Sequence, residues 1–469
     1  VYTFTAMLIQ FEKGYSDREM EEETRFDDRV KYGITAPRDF DGIDAVTLCD
    51  HRKRFFYSDI GRKIFVETIR QAREAGMFQE ENLHVIDSFM VWGSCAKQDS
   101  YTMIYQGIKM VLRMLGFYEM AEAGQKVLER NDYDLNRRKP RINWEDAKEK
   151  RKLLGSLVKD ALELVSFVKG QKDTKEDLQE AAKLLERVAL QDVDIDGDGN
   201  VTMKQGTAKD RVISVNDPEM RHGHKTSSRM SDGYKAEIIT GGEKAAIVIG
   251  IEVDGANIAD GEHMSDLIDI CKEEGNKIDK LYGDGAYCDW EEIEKREKDM
   301  EFCVKVPQPG NASGCYTKEE FEINMEKGEV TCPGGYVEQF DAEKIRMREK
   351  TTVKFDADIC NQCPKKESCT KSQNGRTVGI HPYEDRVQEQ REYQKTEVFK
   401  TDYSKRANGE RTIAQLTRHG GRKSRYIGKV KTKWQLLMVS ININLKAVMG
   451  YISKGLQSEL QAEVCPKAA

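Results

Sequence analysis

The sequence predicts a mixed α/β fold, and three stretches carry that expectation. "NLHVIDSFMVWG" is a short run of strand-forming apolar residues, followed by a helical pattern with Ile104, Ile108, Val111, Leu112 and Leu115 on one face. "DRVISVND", "DGYKAEIIT" and "KAAIVIGIEV" read as three strands separated by turn residues, an antiparallel meander. From Met264, "MSDLIDICKEEG", "KIDKLYGDGAY", "WEEIEKREKD" and "EFCVKVP" alternate helix, strand, helix and strand, the pattern of an α/β sheet flanked by helices.

The other elements follow in order. Residues 1–80 read as a small helical domain: Ser16 and Glu19 have capping-box spacing, and "GRKIFVETIRQAREAG" places Ile64, Phe65, Ile69 and Ala72 at helical intervals before Gly76. The main domain is expected over 81–455, interrupted twice. A charged helical insertion spans 120–205 and holds a basic "NRRKPR", and a cysteine-bearing insertion spans 309–375. A basic helical zone and the apolar helix "WQLLMVSININLKAVMGY" close the domain, leaving 456–469 as a tail. The sequence opens on Val1 rather than methionine, so residues are expected to precede it.

Composition narrows the function classes. Charged residues make up 33% and hydrophobic residues 38% of the 469, polar but sufficient for large cores. No window approaches the 18 or so unbroken apolar residues of a membrane span, and "VYTFTAMLIQF" lacks the basic lead-in of a signal peptide, so a cytoplasmic location is expected. The eleven cysteines then read as thiols or metal ligands rather than a disulfide framework. A net charge of −7 argues against a protein that coats nucleic acid over its whole surface. Between Asp402 and Trp434, however, ten Lys or Arg stand against two acids, a density that suits a phosphate-tracking surface as well as a solvated helix face. Arg406, Arg418, Arg422, Arg425 and Lys429 lie in this zone.

Three acids stand out by position. Asp87 interrupts the apolar strand "HVIDSF", where an unpaired carboxylate costs desolvation energy unless it is matched by a cation. Asp284 stands where "KLYG" leaves its strand. In "YSKRANGERTIAQL", Tyr403, Arg406 and Glu410 fall at i, i+3 and i+7, one face if the segment is helical. Each pattern alone is also compatible with a cap, a buried ion pair or an exposed helix.

As a set, the acid of "VIDS", the acid of "GDGAY", the Y-x2-R-x3-E segment and the ending "RYIGKVKTKWQLLMVSININLK" resemble a bacterial insertion-sequence transposase of the DDE type. "DRVISVNDPEMRHGHKTSSRMSDGYKAEI" and "GYSDREMEEETR" are similar to that family as well. The resemblance implies a ribonuclease-H-like core in which Asp87, Asp284 and Glu410 bind two Mg²⁺ or Mn²⁺ ions. Hard divalent cations take oxygen ligands, and two ions about 3.5–4 Å apart can activate a nucleophile and stabilise the leaving oxygen of a phosphodiester. Water would nick the element's end, and the freed 3′-hydroxyl would attack a second phosphodiester. Tyr403 and Arg406 would hold the phosphate, with Arg418, Arg422, Arg425 and Lys429 also touching DNA. The resemblance also implies DNA partners, terminal inverted repeats and target, a homodimer in the synaptic complex, and a nucleoid-associated location. Hairpin-forming relatives carry a lysine seven residues after the glutamate; Thr417 stands there, with Arg418 next, which leaves the cleavage route open.

Three further motifs are weighed separately. Cys360, Cys363 and Cys369 in "CNQCPKKESC", with Cys332 in "TCPGGY", can satisfy tetrahedral zinc, or form a metal-free thiol loop. His222 and His224 in "RHGHK" are a ligand pair, a phosphate-contacting loop or plain surface, the last two favoured. "DIDGDGNVTMKQ" is spaced like a calcium loop, but Gln205 replaces the bidentate glutamate and no second helix is expected, which argues against calcium. For base reading in the first domain, "HRKRFF" and the inserted "NRRKPR" are the basic candidates. Besides an active transposase, a nuclease of the same fold and a DNA-binding remnant of a decayed element remain open. A calcium or zinc regulatory protein would leave the three acids unexplained.

Overall fold

The computed structural model describes residues 2–78, 83–134, 136–172, 174–208, 210–226, 229–307 and 314–464. The start of the expected cysteine insertion, 309–313, the last two residues of the expected first domain, 79–80, and the tail beyond 464 lie outside these residues. Five helices come first: α1 (Tyr2–Lys13), α2 (Asp17–Phe26), α3 (Asp28–Gly33), α4 (Ala45–Phe56) and α5 (Ile60–Glu74). The capping box at α2 forms as expected, Ser16 Oγ accepting from Glu19 N while Ser16 N donates to Glu19 Oε2.

The central sheet has strands β1 (His84–Trp92), β2 (Arg229–Gly241), β3 (Ile247–Gly255), β4 (Lys280–Tyr282) and β5 (Glu301–Cys303) in the order β3-β2-β1-β4-β5. β1, β2 and β3 pair antiparallel, and β4 and β5 add parallel to β1. This is the ribonuclease-H-like arrangement. A sixth strand, Arg221–Thr226, pairs with the start of β2.

The expected first strand of the meander does not form. Val212, Ile213 and Val215 of "DRVISVND" are buried, but two glutamines satisfy their backbone: the Gln191 side chain accepts from Val212 N at 3.0 Å, the Gln98 side chain accepts from Val215 N at 2.9 Å, and Gln98 N donates to Ile213 O at 2.8 Å. "RHGHKT" takes the strand role instead, with His222 bonded to Asp232 on β2. Glutamine side chains compete here with a ladder for the same donors, a competition that apolar alternation does not register.

The insertion is helical as expected. α6 (Ser100–Phe117), α7 (Ala147–Lys169) and α8 (Glu176–Leu190) bury a core of their own, pinned by fully buried Asp160, which accepts from Glu129 N and from the Tyr133 hydroxyl. The calcium-like loop turns a β-hairpin, Val193–Ile195 against Val201–Met203, and the Asp196 carboxylate accepts from Asp198 N and Asn200 N across the turn. The cysteine-bearing stretch folds as a three-stranded sheet, a two-stranded sheet completed by Thr377–Ile380, and short helices around a small core. α9 (Met264–Glu273) covers β3, α10 (Ala407–Leu416) covers β1, and α11 (Lys429–Val464) runs along β3 and α5.

α1 to α5 share one continuous core with the sheet and α11 instead of enclosing one apart: Phe4, Met7, Phe11, Phe65 and Ile69 cluster with Ile86, Ile249 and Leu436. α11 also revises an expectation. Its Lys429–Gln457 stretch is long and apolar enough, by length and composition, to cross a membrane. Here Leu436, Met438, Val439 and Ile443 are buried against the protein, and Asn444 bonds both Val248 N (2.8 Å) and Val248 O (2.9 Å) on β3. A buried amide that closes both backbone groups of a strand residue is a protein-core device.

Glu237 on β2 is 2% exposed and accepts from Gly261 N and from His263 N at 3.0 Å. Burial raises its pKa above the ordinary carboxylate value, and the two N–H bonds only partly offset this. A raised folded-state pKa gives stability that is complete below the unfolded pKa and is lost as pH rises through the folded value. Melting curves of Glu237→Gln and wild type between pH 4 and pH 8 should therefore show the difference moving in favour of the variant as pH rises; a difference independent of pH would contradict the assignment.

Candidate active site

β1 carries Asp87 at its centre, and the parallel register of β4 decides what stands beside it. Val85 pairs with Tyr282, so Asp87 and Asp284, each two residues further on, come abreast with the same facing. β4 ends at Tyr282, and Asp284 caps a one-turn helix, Gly285–Tyr287, its Oδ1 accepting from Ala286 N at 2.8 Å.

The third acid arrives on α10. A Cβ on Gly409 would stand 2.5 Å from Val85 Cγ1, so the helix lies closer to β1 than any other residue would permit. At that distance Arg406 Nη1 reaches Asp87 Oδ2 at 3.0 Å and Nη2 reaches Glu410 Oε1 at 2.5 Å. The expected Tyr403, Arg406, Glu410 face is present: the Arg406 guanidinium lies 6.0 Å over the Tyr403 ring, and Tyr403 stacks on Phe399 at 5.3 Å. Asp87, Asp284, Arg406, Glu410 and Arg422 line one open cleft of about 840 Å³.

The electrostatics are those of a site short of cations. The Asp87 side chain is 18% exposed and that of Glu410 55%. Burial pushes the Asp87 carboxyl up; the Ser88 N–H and Arg406 pull it down, and Asp284 and Glu410 push it up again. One arginine thus faces a convergent set of carboxylates. Their donor set, oxygen only and anionic, suits a hard divalent ion. Among the described residues, however, no three Cys, His, Asp or Glu side chains are already gathered at metal-holding spacing. Arg406 stands between Asp87 and Glu410 instead.

Several neighbours were not singled out by sequence. Ser88 Oγ donates to Asp260 Oδ1 at 2.7 Å, and Lys235 pairs with the same oxygen at 2.7 Å. Tyr287 is buried, its hydroxyl has no hydrogen-bond partner among the described residues, and burial followed by Glu237, Asp87, Asp260 and Asp284 keeps it a protonated phenol. Exposed Trp92 and Met230 form the rim. The aromatic in "GDGAY" was the available signal for Tyr287; the others depend on strand pairing.

The predicted cations divide. Arg422 reaches the cleft because residues 422–424 extend the sheet beside β1, Trp92 N donating to Arg422 O (2.9 Å) and Ser424 N to Trp92 O (2.7 Å). Arg418 lines a separate open groove of about 890 Å³ with Arg411, Lys446 and Lys454. Arg425 turns to Tyr15 O at 2.7 Å, and Lys429 pairs with Asp254 at 3.1 Å. Arg52 of "HRKRFF" is 7% exposed and bonds Gln10 and Asp17, and Phe55 and Phe56 pack against Phe4 and Trp434.

Residues 331–449 match the family model described as Transposase DDE domain. That segment is similar to the transposase DDE domain. The match spans about a quarter of the chain, taking in Glu410 and all of α10, while Asp87 and Asp284 lie outside it. No match is found among curated proteins or among solved structures. The matched segment supplies the helix, and the earlier strands supply the surface on which it closes.

The close approach of that helix is testable. Gly409→Val should destabilise the fold by about 1–3 kcal/mol through overpacking. It should also lift Arg406 away from Asp87, and Val85→Ala in the same chain should restore part of the melting temperature. Independent, additive effects of the two substitutions would show that α10 does not rest on β1 through Gly409 and Val85.

Proposed function

We propose that this protein is the transposase of a bacterial insertion sequence, cutting DNA at the element's terminal inverted repeats and joining the ends to a target. The observation that carries the reading is the convergence of Asp87, Asp284 and Glu410, remote in sequence, on one cleft beside Arg406 in a chain with a segment similar to the transposase DDE domain. Asp87, Asp284 and Glu410 are the residues that would hold Mg²⁺ or Mn²⁺. When bound, such ions activate the attacking oxygen and stabilise the leaving one. The chain's own residues position the DNA. Arg406 exchanges a carboxylate for a phosphodiester, which its fork can grip with two parallel hydrogen bonds. Tyr403 stacks behind it, and Arg422 receives the strand at the rim. The low-lying Asp87 is kept from bulk water by its strand neighbours, which strengthens its hold on any cation.

The groove with Arg411, Arg418 and Lys454 runs along the other side of α10 and is suited to tracking the DNA backbone toward the acids. Recognition of the ends is assigned to the insertion's "NRRKPR", where Arg138 and Arg141 are exposed, because Arg52 of "HRKRFF" is committed to the core. Two ends must be cut together, so the working form is a homodimer.

Cleavage of linear DNA carrying the element's ends, with Mg²⁺ present, tests the triad. Asp87→Ala, Asp284→Ala and Glu410→Ala should each lower the rate by at least about a hundredfold, ~2.7 kcal/mol of barrier, while binding persists. Joining to a plasmid target separates a transposase from a nuclease, and wild type that binds but never cuts would mark a non-catalytic remnant.

A second expectation concerns the groove. Replacing Arg411, Arg418 and Lys454 with alanine should weaken DNA binding and flatten the dependence of log affinity on log salt by about 0.9 for each phosphate that is no longer neutralised. An unchanged slope in a titration from low to moderate salt would remove the groove from the DNA path.

A further inference from the structure

The cysteines of the inserted module come from three separate turns and meet. Cys332, Cys360, Cys363 and Cys369 all line one small cavity of about 20 Å³, room for a single water-sized or ion-sized guest. A Cβ on Gly334 would lie 3.1 Å from Cys363 Sγ and 3.5 Å from Cys332 Sγ, so sulfurs from turns some thirty residues apart flank one point. All four are free rather than joined in disulfides.

The local backbone is shaped to present them. Cys332-Pro-Gly-Gly makes a tight turn in which Gly335 N donates to Cys332 O at 2.8 Å and Cys332 N to Tyr336 O at 2.8 Å, with Gly335 at φ +86°. Asp356 caps the short helix Ala357–Gln362 that carries Cys360, and Cys363 follows at its C-cap. The two turns are tied across the cavity by Lys365 Nζ, which donates to Pro333 O at 2.6 Å. Cations surround the thiols: Lys365, Lys366 and Arg376 line the same cavity, and Arg376 Nε is buried with no hydrogen-bond partner among the described residues.

We propose that Cys332, Cys360, Cys363 and Cys369 bind one structural Zn²⁺ that staples this module. Zinc takes four thiolates tetrahedrally at about 2.3 Å, and the positive side chains would balance the two net negative charges of such a centre. Among the described residues no three of these sulfurs already stand at metal-holding spacing, so binding requires the cysteine side chains to move between staggered wells. The physical need is evident in the module's core, a few residues such as Phe321, Val330, Ile345, Val353, Phe355 and Val378. A core that small rarely holds a fold without a metal or disulfide staple. Binding releases one proton per thiol, four in all if every thiol starts protonated, with no redox step. The inference is independent of the reading of the acidic cleft.

The test uses the full chain, purified under reducing conditions and passed into metal-free buffer. Elemental analysis should find about one zinc per chain, released in step with four thiols as a mercurial reagent is titrated against a zinc indicator. Reconstitution of the metal-free chain with Co²⁺ should give the intense thiolate-to-cobalt absorption of a tetrahedral sulfur site. Cys360→Ser and Cys369→Ser should lose the zinc and speed amide exchange within residues 314–380, leaving exchange in the central sheet unchanged. Wild type with less than about a tenth of a zinc per chain and no cobalt–thiolate band would overturn the proposal, whatever the variants do. So would an iron–sulfur chromophore in the purified chain.

Discussion

The site depends first on strand register. Because β4 joins β1 in parallel with Val85 opposite Tyr282, two aspartates nearly two hundred positions apart come level with one another. A slip of one residue would turn one carboxylate to the opposite face, since side chains alternate along a strand. On its other edge β1 is anchored by eight successive antiparallel pairs with β2, from Val85 to Trp92. The pairing with β4 is short, two pairs at His84 and Val85.

A second constraint acts perpendicular to the sheet. α10 can deliver Glu410 only if it lies almost on β1, and Gly409 removes the one side chain that would hold it off Val85. The glycine costs helix propensity, and what it returns is geometric. Arg406 then spans from the helix to the strand and binds Asp87 and Glu410 at once. Truncating that arginine would leave the largely buried Asp87 carboxylate without its cation, which is costly in a medium less polarisable than water. The pair of constraints explains why the site is open on one side yet anchored at its base: Asp87 is held by backbone pairing, while Glu410, Trp92 and Arg422 face the solvent.

Charge on the C-terminal zone is less available than its sequence suggests. Of the dense run of lysines and arginines after Asp402, Lys429 and Lys433 are paired with Asp254 and Glu252 on β3, Arg425 is spent on Tyr15 O, and Arg406 on the acids. Arg411, Arg418 and Arg422 remain facing open clefts. Acids brought alongside by the sheet neutralise part of a patch that looks continuous when the chain is read linearly.

The sequence by itself determined the local elements, because their signals are local. The capping box at Ser16, the apolar spacing of α5 and α6, the buried run of β1 and the Y-x2-R-x3-E face each follow from interactions within a few residues. It also marked Asp87, Asp284 and Glu410 as acids in unusual settings. Tertiary structure decided the rest. Gln98 and Gln191, not a ladder, hold the "DRVISV" backbone; one face of the apolar Lys429–Gln457 run, with Leu436, Met438, Val439 and Ile443, is buried in a core; and the first five helices share that core. Which cations meet the acids was likewise settled by where the sheet and α10 place each side chain. The reason is common to all of these: propensity and periodicity describe what a segment can bury or bond, whereas the partner that satisfies it is chosen by register and packing between segments distant in sequence.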